Sequence, residues 1–411
     1  MSNDGEPVEN NADAFDFGIF DEYFDDEVEQ LDPNRRATIQ EIQLLCEFIG
    51  GFAHWELLND DCKKGVISFL DYNSRCRLER CSKYDYRMVK ATPIHVYQAD
   101  IEDSETFHFQ FQEEEFENVI VRIQFSENYT SGNALELIFS QLEQDTQIRW
   151  IKYYARQLPQ IRSVLLKNCD YYDESVKFVA KWMKKGHYKL TKLSVDMKRV
   201  STASNSIRSL PSCTRLRLGS SDEEVFRWWL QKVPEELDVL QLVSRSVSND
   251  LVLSPQLLSL PQVMNVKELY FWCKAAFSDE QFLSLKANRI SFDPIHITDE
   301  GINAFLKKWA RGEGSSDFKR ALLWSEQVRD QQTILRGLHA RPWDNEFLAE
   351  ARGFTDDFNR VCGRGTCFQV SSNVDSYESV TVCFANDRTS FYGTGKRRES
   401  GGRIFTDFSV P

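Results

Sequence analysis

The sequence predicts an α/β (α+β) protein: a small helical module followed by strand–helix units stacked as a solenoid. Three observations carry this. Short apolar runs recur at a nearly regular spacing through the middle of the chain. Capping residues and acids that open helices follow several of those runs. Ahead of them, three short amphipathic stretches fall within about 40 residues, too few to bury a core alone.

The chain has 411 residues, enough for two or three domains. Its 41% apolar and 27% charged content exclude a wholly disordered chain, a fibre and a disulfide-dense mini-protein. The net charge of −13 is local: residues 1–32 hold 12 acids and no Lys or Arg. The remainder carries 50 basic against 51 acidic groups, so it offers no footprint for nucleic acid. No apolar run approaches the roughly 20 residues a bilayer needs, and the acidic start is unlike a signal peptide. No membrane partner is expected. The ten Cys lack C-x-x-C spacing and mostly sit among apolar residues. They read as reduced core residues of a cytoplasmic or nuclear protein.

Residues 1–31 read as a solvated acidic tail. Phe17, Phe20 and Phe24 recur there at i, i+3 and i+7, a spacing that could instead fold against a partner. Asp32-Pro33 opens a helix. Ile39, Ile42, Leu45, Cys46 and Ile49 follow on one stripe until Gly50-Gly51 end it, so residues 32–53 form a helix that packs on the next module.

Residues 54–93 hold the helical module. Asn59 caps a helix with Asp60 and Asp61 in its first turn, where the dipole favours acids. Cys62, Val66, Phe69 and Leu70 form its apolar stripe, with Ile67 alongside. Asn73 or Ser74 opens a second helix holding Cys76, Leu78 and Cys81. A third carries Tyr84, Met88 and Val89 and ends before Pro93.

Residues 94–154 form a β-rich region. Ile94–Tyr97, Phe107–Phe111 and Val119–Ile123 are strand candidates. Glu113-Glu114-Glu115 reads as a hairpin tip, not a metal site.

From 155 to 345, apolar runs begin at Val164, Leu193, Leu216, Leu240, Leu269, Ile290 and Leu322. Their mean step, (322 − 164)/6, is about 26 residues, within the leucine-rich-repeat range. Ser221–Glu224 and Ser278–Gln281 read as capping boxes, echoed by Thr298–Glu300 and Tyr172–Glu174. Behind them lie the stripes Val176, Val179, Ala180, Met183; Val225, Phe226, Trp229, Leu230; and Ile302, Phe305, Leu306, Trp309. Such units bury their faces only by stacking. The alternative is a mixed α/β domain with coincidental spacing. Residues 346–411 end in strand-like pieces and form a carboxy-terminal cap.

No catalytic frame emerges. Gly393-Thr394-Gly395-Lys396 fails as a phosphate loop and reads as a turn. The nucleophile elbow is absent, and the six His fall in no zinc frame. Asp60/Asp61 and Asp299/Glu300 are explained by helix starts. Trp228, Trp229 and Trp343 are possible ligand anchors, although Trp229 belongs to an apolar stripe. No cofactor, metal or small-molecule substrate is expected.

Two stretches carry a family resemblance. Trp55, Leu58, Asp60, Asp61, Val66, Ile67, Leu70, Asp71, Ser74, Arg75, Leu78, Cys81, Ser82 and Lys83 together resemble the F-box, in the form found in nematode families. The common Leu-Pro at its head is Leu58-Asn59 here. Pro294–Asn303, Phe305–Trp309, Gly312, Ile334–Gly337 and Pro342–Asp344 look like the nematode F-box-associated domain, which follows an F-box as it does here.

The resemblance implies a non-enzymatic substrate-recognition subunit of an SCF-type cullin–RING ubiquitin ligase. The F-box would bind a Skp-family adaptor, and through it a cullin, by Leu57, Leu58, Val66, Ile67, Phe69, Leu70, Leu78 and Cys81. The solenoid would hold a target protein, of unknown identity. Which of the eight side chains face the adaptor and which face inward is not set by the sequence. The alternative is a repeat scaffold for protein interaction that serves no ligase.

Overall fold

The computed structural model describes residues 55–70, 72–104, 107–109, 112–114, 118–125, 134–152, 160–184, 188–199, 209–210, 213–233, 236–245, 251–315, 317–325, 328–363, 365–400 and 403–407. The acidic tail and the helix expected over 32–53 lie outside them. The chain divides into two compact units, residues 1–95 and 96–411.

In the first unit a single 3-10 turn, Trp55–Leu57, precedes α1 (Asp60–Phe69), α2 (Tyr72–Glu79) and α3 (Lys83–Ala91). Asn59 caps α1 as its sequence position implies, accepting from the Cys62 N–H at 2.8 Å. Ser82 caps α3, accepting from the Asp85 N–H at 3.0 Å. Pro93 ends the helical run, because a proline disfavours helical backbone in the residue before it.

The second unit is a mixed α/β body dominated by one large mixed sheet of 17 strands among the described residues. The chain enters it on β1 (Ile94–Ser104). The small pair β2 (Phe107–Phe109) and β3 (Gln112–Glu114) stands apart. Glu113 and Glu114 are therefore strand residues, not a hairpin tip. An antiparallel meander follows: β4 (Asn118–Gln124), β5 (Ala134–Leu142), β6 (Asp145–Lys152) and β7 (Gln160–Leu166). Helix α4 (Tyr171–Lys184) covers one face, where Phe139 meets Phe178 at 5.8 Å between ring centres.

A parallel run comes next. Strands β8 (Tyr188–Asp196) and β9 (Cys213–Ser220) pair, and β9 leads into α5 (Glu223–Leu230) and β10 (Val239–Ser244). The short β11 (Val252–Leu253), α6 (Pro255–Leu258) and α7 (Pro261–Met264) lead to β12 (Glu268–Ala275). Then come α8 (Asp279–Ser284), β13 (Arg289–Pro294), α9 (Asp299–Ala310) and β14 (Arg320–Trp324). The order β8-β9-β10-β12-β13-β14 is parallel throughout. Of the seven recurring apolar runs, six are these strands. The first, at Val164, is β7, which pairs antiparallel with β6.

Beyond β14 lie α10 (Gln331–Leu335), β15 (Ala340–Pro342), α11 (Asn345–Glu350), α12 (Arg352–Cys362), β16 (Thr366–Ser371), β17 (Ser379–Phe384), β18 (Arg388–Ser400) and β19 (Arg403–Asp407). β18 pairs antiparallel with β14 and closes that edge of the parallel run. Gly393 and Gly395 are thus strand residues rather than a turn. A Cβ on Gly393 would stand 2.7 Å from the Phe318 carbonyl oxygen, so the strand needs glycine to approach that backbone.

The apolar side of the parallel run packs on its helices. Leu216, Leu218, Leu240, Leu242, Leu269, Phe271, Ile290 and Phe292 are all buried. Phe282 of α8 stacks on Phe305 of α9 at 4.7 Å and meets Phe292 edge-on at 6.4 Å. The capping box at Ser278 forms in full: Gln281 N–H donates to Ser278 Oγ at 3.2 Å, and Ser278 N–H to Gln281 Oε1 at 3.0 Å. Thr298 caps α9 as expected, accepting from the Gly301 N–H at 3.0 Å, and the remaining two caps shift. Asp222 replaces Ser221 as cap of α5, and Asp170 accepts from the Asp173 N–H where Tyr172 was the expected start. Aspartate accepts these N–H groups as well as serine does.

The first-turn acids also brace the next unit. Asp279 accepts from Thr298 N–H at 2.9 Å and Thr298 Oγ1 at 2.6 Å. Asp299 accepts from Asp330 N–H at 2.9 Å, and Glu223 from Ser254 N–H at 2.8 Å. A Cβ on Gly301 would collide with the Asp279 carboxylate, so that brace requires the glycine.

Candidate functional site

The three helices of the first unit share a small core. Ile67 is fully buried with Met88 and Val89, and Trp55 and Leu78 pack against them. Polar groups lock the arrangement. Trp55 Nε1 donates to Asp85 Oδ1 at 3.0 Å, and Ser82 Oγ donates to Asp85 Oδ2 at 2.6 Å. Buried Arg75 donates from Nη1 to the Thr92 carbonyl at 3.1 Å and from Nε to the Leu70 carbonyl at 3.3 Å. It thereby joins the end of α1 to the end of α3, and burial pushes its guanidinium below its ordinary value. Lys63 is also buried, its ammonium 4.5 Å from the centre of the Tyr84 ring, a cation–π placement. The Tyr84 hydroxyl donates to Asp60, which pushes its pKa up.

Helix periodicity splits the apolar residues of α1 between two stripes. Lys63, Ile67 and Leu70 stand at i, i+4 and i+7, and the first two are buried. Cys62, Val66 and Phe69 share the same spacing one residue back, and this second stripe faces out: Phe69 is 90% exposed. Leu57, just ahead of α1, is 80% exposed. The sequence stripe combined the two, because Leu70 sits where they adjoin. Burying a Leu or Phe side chain is worth about 1.5–3 kcal/mol, so this unit leaves that much unclaimed at each of two positions.

The eight sequence-derived residues fall into three groups. Leu57, Phe69 and Cys81 are exposed. Leu58, Val66, Leu70 and Leu78 are half-buried. Ile67 lies in the core. Cys81 donates to the Arg77 carbonyl at 3.4 Å, and burial followed by Asp85 raises its thiol. Sequence reasoning missed Asp85, Arg75 and Lys63 as buried polar residues. Ser82-x-x-Asp85 carried a signal for the first, since serine followed by an acid three residues on marks a helix start. Nothing in the sequence marked the other two.

The remaining candidates lie in the second unit. Trp229 is buried and meets Trp228 edge-on at 4.8 Å. Trp343 stacks on Phe347 at 5.3 Å and packs against Phe358. Cys213 and Cys273 are buried, which pushes each thiol up to about 12. The cysteines among the described residues are free thiols. Among the described residues no group of three or more His, Cys, Asp or Glu is placed to hold a metal ion, and no helix is long and apolar enough to cross a membrane.

A family model described as F-box associated matches residues 260–318, from α7 through α9 to the threshold of β14. An uncharacterized F-box protein of Caenorhabditis elegans is 40% identical over 387 residues, covering 94% of this chain and 100% of that protein. No solved structure matches. The chain belongs to the F-box proteins. Within that class it is a nematode F-box protein carrying an F-box-associated domain.

Proposed function

We propose that the chain is the substrate-recognition subunit of an SCF-type cullin–RING ubiquitin ligase, acting in the cytoplasm or nucleus without bond chemistry of its own. Residues 54–93, a three-helix F-box, dock a Skp-family adaptor and through it a cullin. The leucine-rich-repeat-like solenoid, within residues 155–345, holds a target protein. The subunit works by raising the local concentration of target lysines at the ligase.

The observation that carries the reading is the outward stripe of α1. Leu57 and Phe69 are apolar, exposed, and set in the segment that resembles the F-box. The parallel strand–helix units and the carboxylate braces between them support the solenoid. Asn59 caps α1 through its side chain, so the helix starts without the proline common at that position. Co-purification tests the proposal. The wild-type chain captures the adaptor, and Leu57→Asp combined with Phe69→Asp abolishes capture while far-UV circular dichroism stays unchanged. Capture undiminished in that variant would contradict the proposed face.

A further inference from the structure

Strands β10, β12 and β13 turn one face to their helices and the other away from them, alternating residue by residue, and β9 does so from Arg215 to Leu218. On the second face Arg215, Arg217, Lys274 and Arg289 stand against Glu268, Asp293 and, on the adjoining β8, Asp196. Arg217 pairs with Asp196 at 3.5 Å and Arg289 with Glu268 at 3.5 Å, and the cations outnumber the acids four to three. Arg215 is exposed. Arg388 adds a further cation at the border, 4.9 Å from the centre of the Trp324 ring.

Two indoles stand on this face. Trp272 of β12 is 53% exposed and Trp324 of β14 is 38% exposed. They flank β13, whose outward residues Ser291 and Asp293 are smaller. At roughly 4.8 Å between strands, the backbones of β12 and β14 lie about 10 Å apart on either side of β13. Trp324 is held in place, donating from Nε1 to Ser291 Oγ at 3.1 Å under the Arg388 guanidinium. Trp272 is set by an irregularity in β12: the step from Tyr270 to Lys274 matches only Ser291 to Asp293 on β13. Two extra residues keep the alternation in phase, where one would turn every later side chain to the opposite face.

We infer that this face is the docking surface for an extended acidic segment of a target protein that carries an apolar or aromatic side chain. The inference rests on the substrate-recognition reading and names the substrate class. The apolar side chain enters between Trp272 and Trp324, and carboxylates on either side meet Arg215 and Lys274 and share Arg217 and Arg289 with Asp196 and Glu268. These strands are interior, with their backbone groups engaged by neighbours on both sides. The segment therefore lies across them by side-chain contacts and does not extend the sheet. Four strand spacings from β9 to β14 span about 19 Å, the length of roughly six extended residues. Glu268 and Asp293 interleave with the cations, a pattern that suits separated carboxylates better than a continuous phosphate backbone.

Fluorescence anisotropy on the full chain tests this with three labelled probes: a heptapeptide alternating aspartate and phenylalanine, its lysine counterpart, and an oligothymidylate. The acidic peptide is expected to bind and to weaken with salt. Trp272→Ala, and separately Arg215→Glu combined with Arg217→Glu, lower its affinity about tenfold, with thermal melting unchanged. The lysine peptide is expected not to bind. Failure of the acidic peptide to bind, equal binding of the two peptides, preference for the oligothymidylate, or indifference to both variants would overturn the inference. Adaptor co-purification of the same variants keeps the two readings apart. Capture retained with peptide binding lost in the variants supports both. A wild-type chain that binds the peptide but captures no adaptor sinks the ligase reading and leaves the docking surface standing.

Discussion

Helix α1 and helix α9 meet their surroundings in opposite ways. α9 carries Ile302 and Leu306 inward, both fully buried, and its half-buried Phe305 is stacked on Phe282. Its apolar stripe is used up within the chain. α1 spends one apolar side chain, Ile67, on its own core, gives the stripe position beside it to a lysine, and turns Phe69 outward. Both helices are capped through side-chain oxygens, Thr298 for α9 and Asn59 for α1. What differs is where the apolar surface goes. Structural helices hide it, whereas α1 leaves Phe69 in water.

Substitutions sharpen that contrast. The largest loss is expected at Phe292→Ala, where the ring fills the interior between β13 and α8. About 3–5 kcal/mol of stability disappears, read by chemical denaturation of the second unit's transition. Ile67→Ala is expected to cost about 2–4 kcal/mol, read by amide exchange in α1 and α3, because the small core leaves few neighbours to close the cavity.

A pH profile probes the sheet through its buried thiols. The Cys213 and Cys273 thiols are raised from 9.0 to about 12 by burial. Their folded pKa lies above the unfolded one, so their contribution is complete below pH 9 and is lost as pH rises toward 12. The melting temperature is therefore expected to fall across that window, and replacing both residues by Ala is expected to flatten the fall. Asp279→Ala removes two hydrogen bonds from Thr298 and is expected to cost about 1–2 kcal/mol in the same denaturation experiment.

The parts of this architecture legible in the sequence were those with local causes. The capping box at Ser278 and the cap at Asn59 are written within four residues, and both form. The period-2 runs at Leu216, Leu240, Leu269 and Ile290 become strands with one buried face, because apolar residues alternate through each run. What escaped depended on distant partners. Val164 belongs to an apolar run like the others, yet pairs antiparallel because β6 precedes it after a short connection. Gly393 and Gly395 resemble a turn until the backbone that crowds them is known. In the candidate site, all eight residues came from the sequence, but their division into core and surface did not. Ile67 and Val66 are neighbours of similar chemistry, and only the positions of Met88 and Val89 decide which one faces inward. Arg75 was silent for the same reason, since its two acceptors are carbonyls contributed by Leu70 and Thr92.

The smallest expected effect on stability is the most informative. Phe69→Asp places a charge where the side chain is already in water, so unfolding free energy is expected to move by no more than about 0.5 kcal/mol. Titration of a purified Skp-family adaptor against the wild-type chain and this variant, by calorimetry, tests the central claim directly. Saturable binding to the wild type and a loss of at least about tenfold in the folded variant is the expected result. Equal affinity for both chains would show that the outward stripe of α1 is not the adaptor's seat.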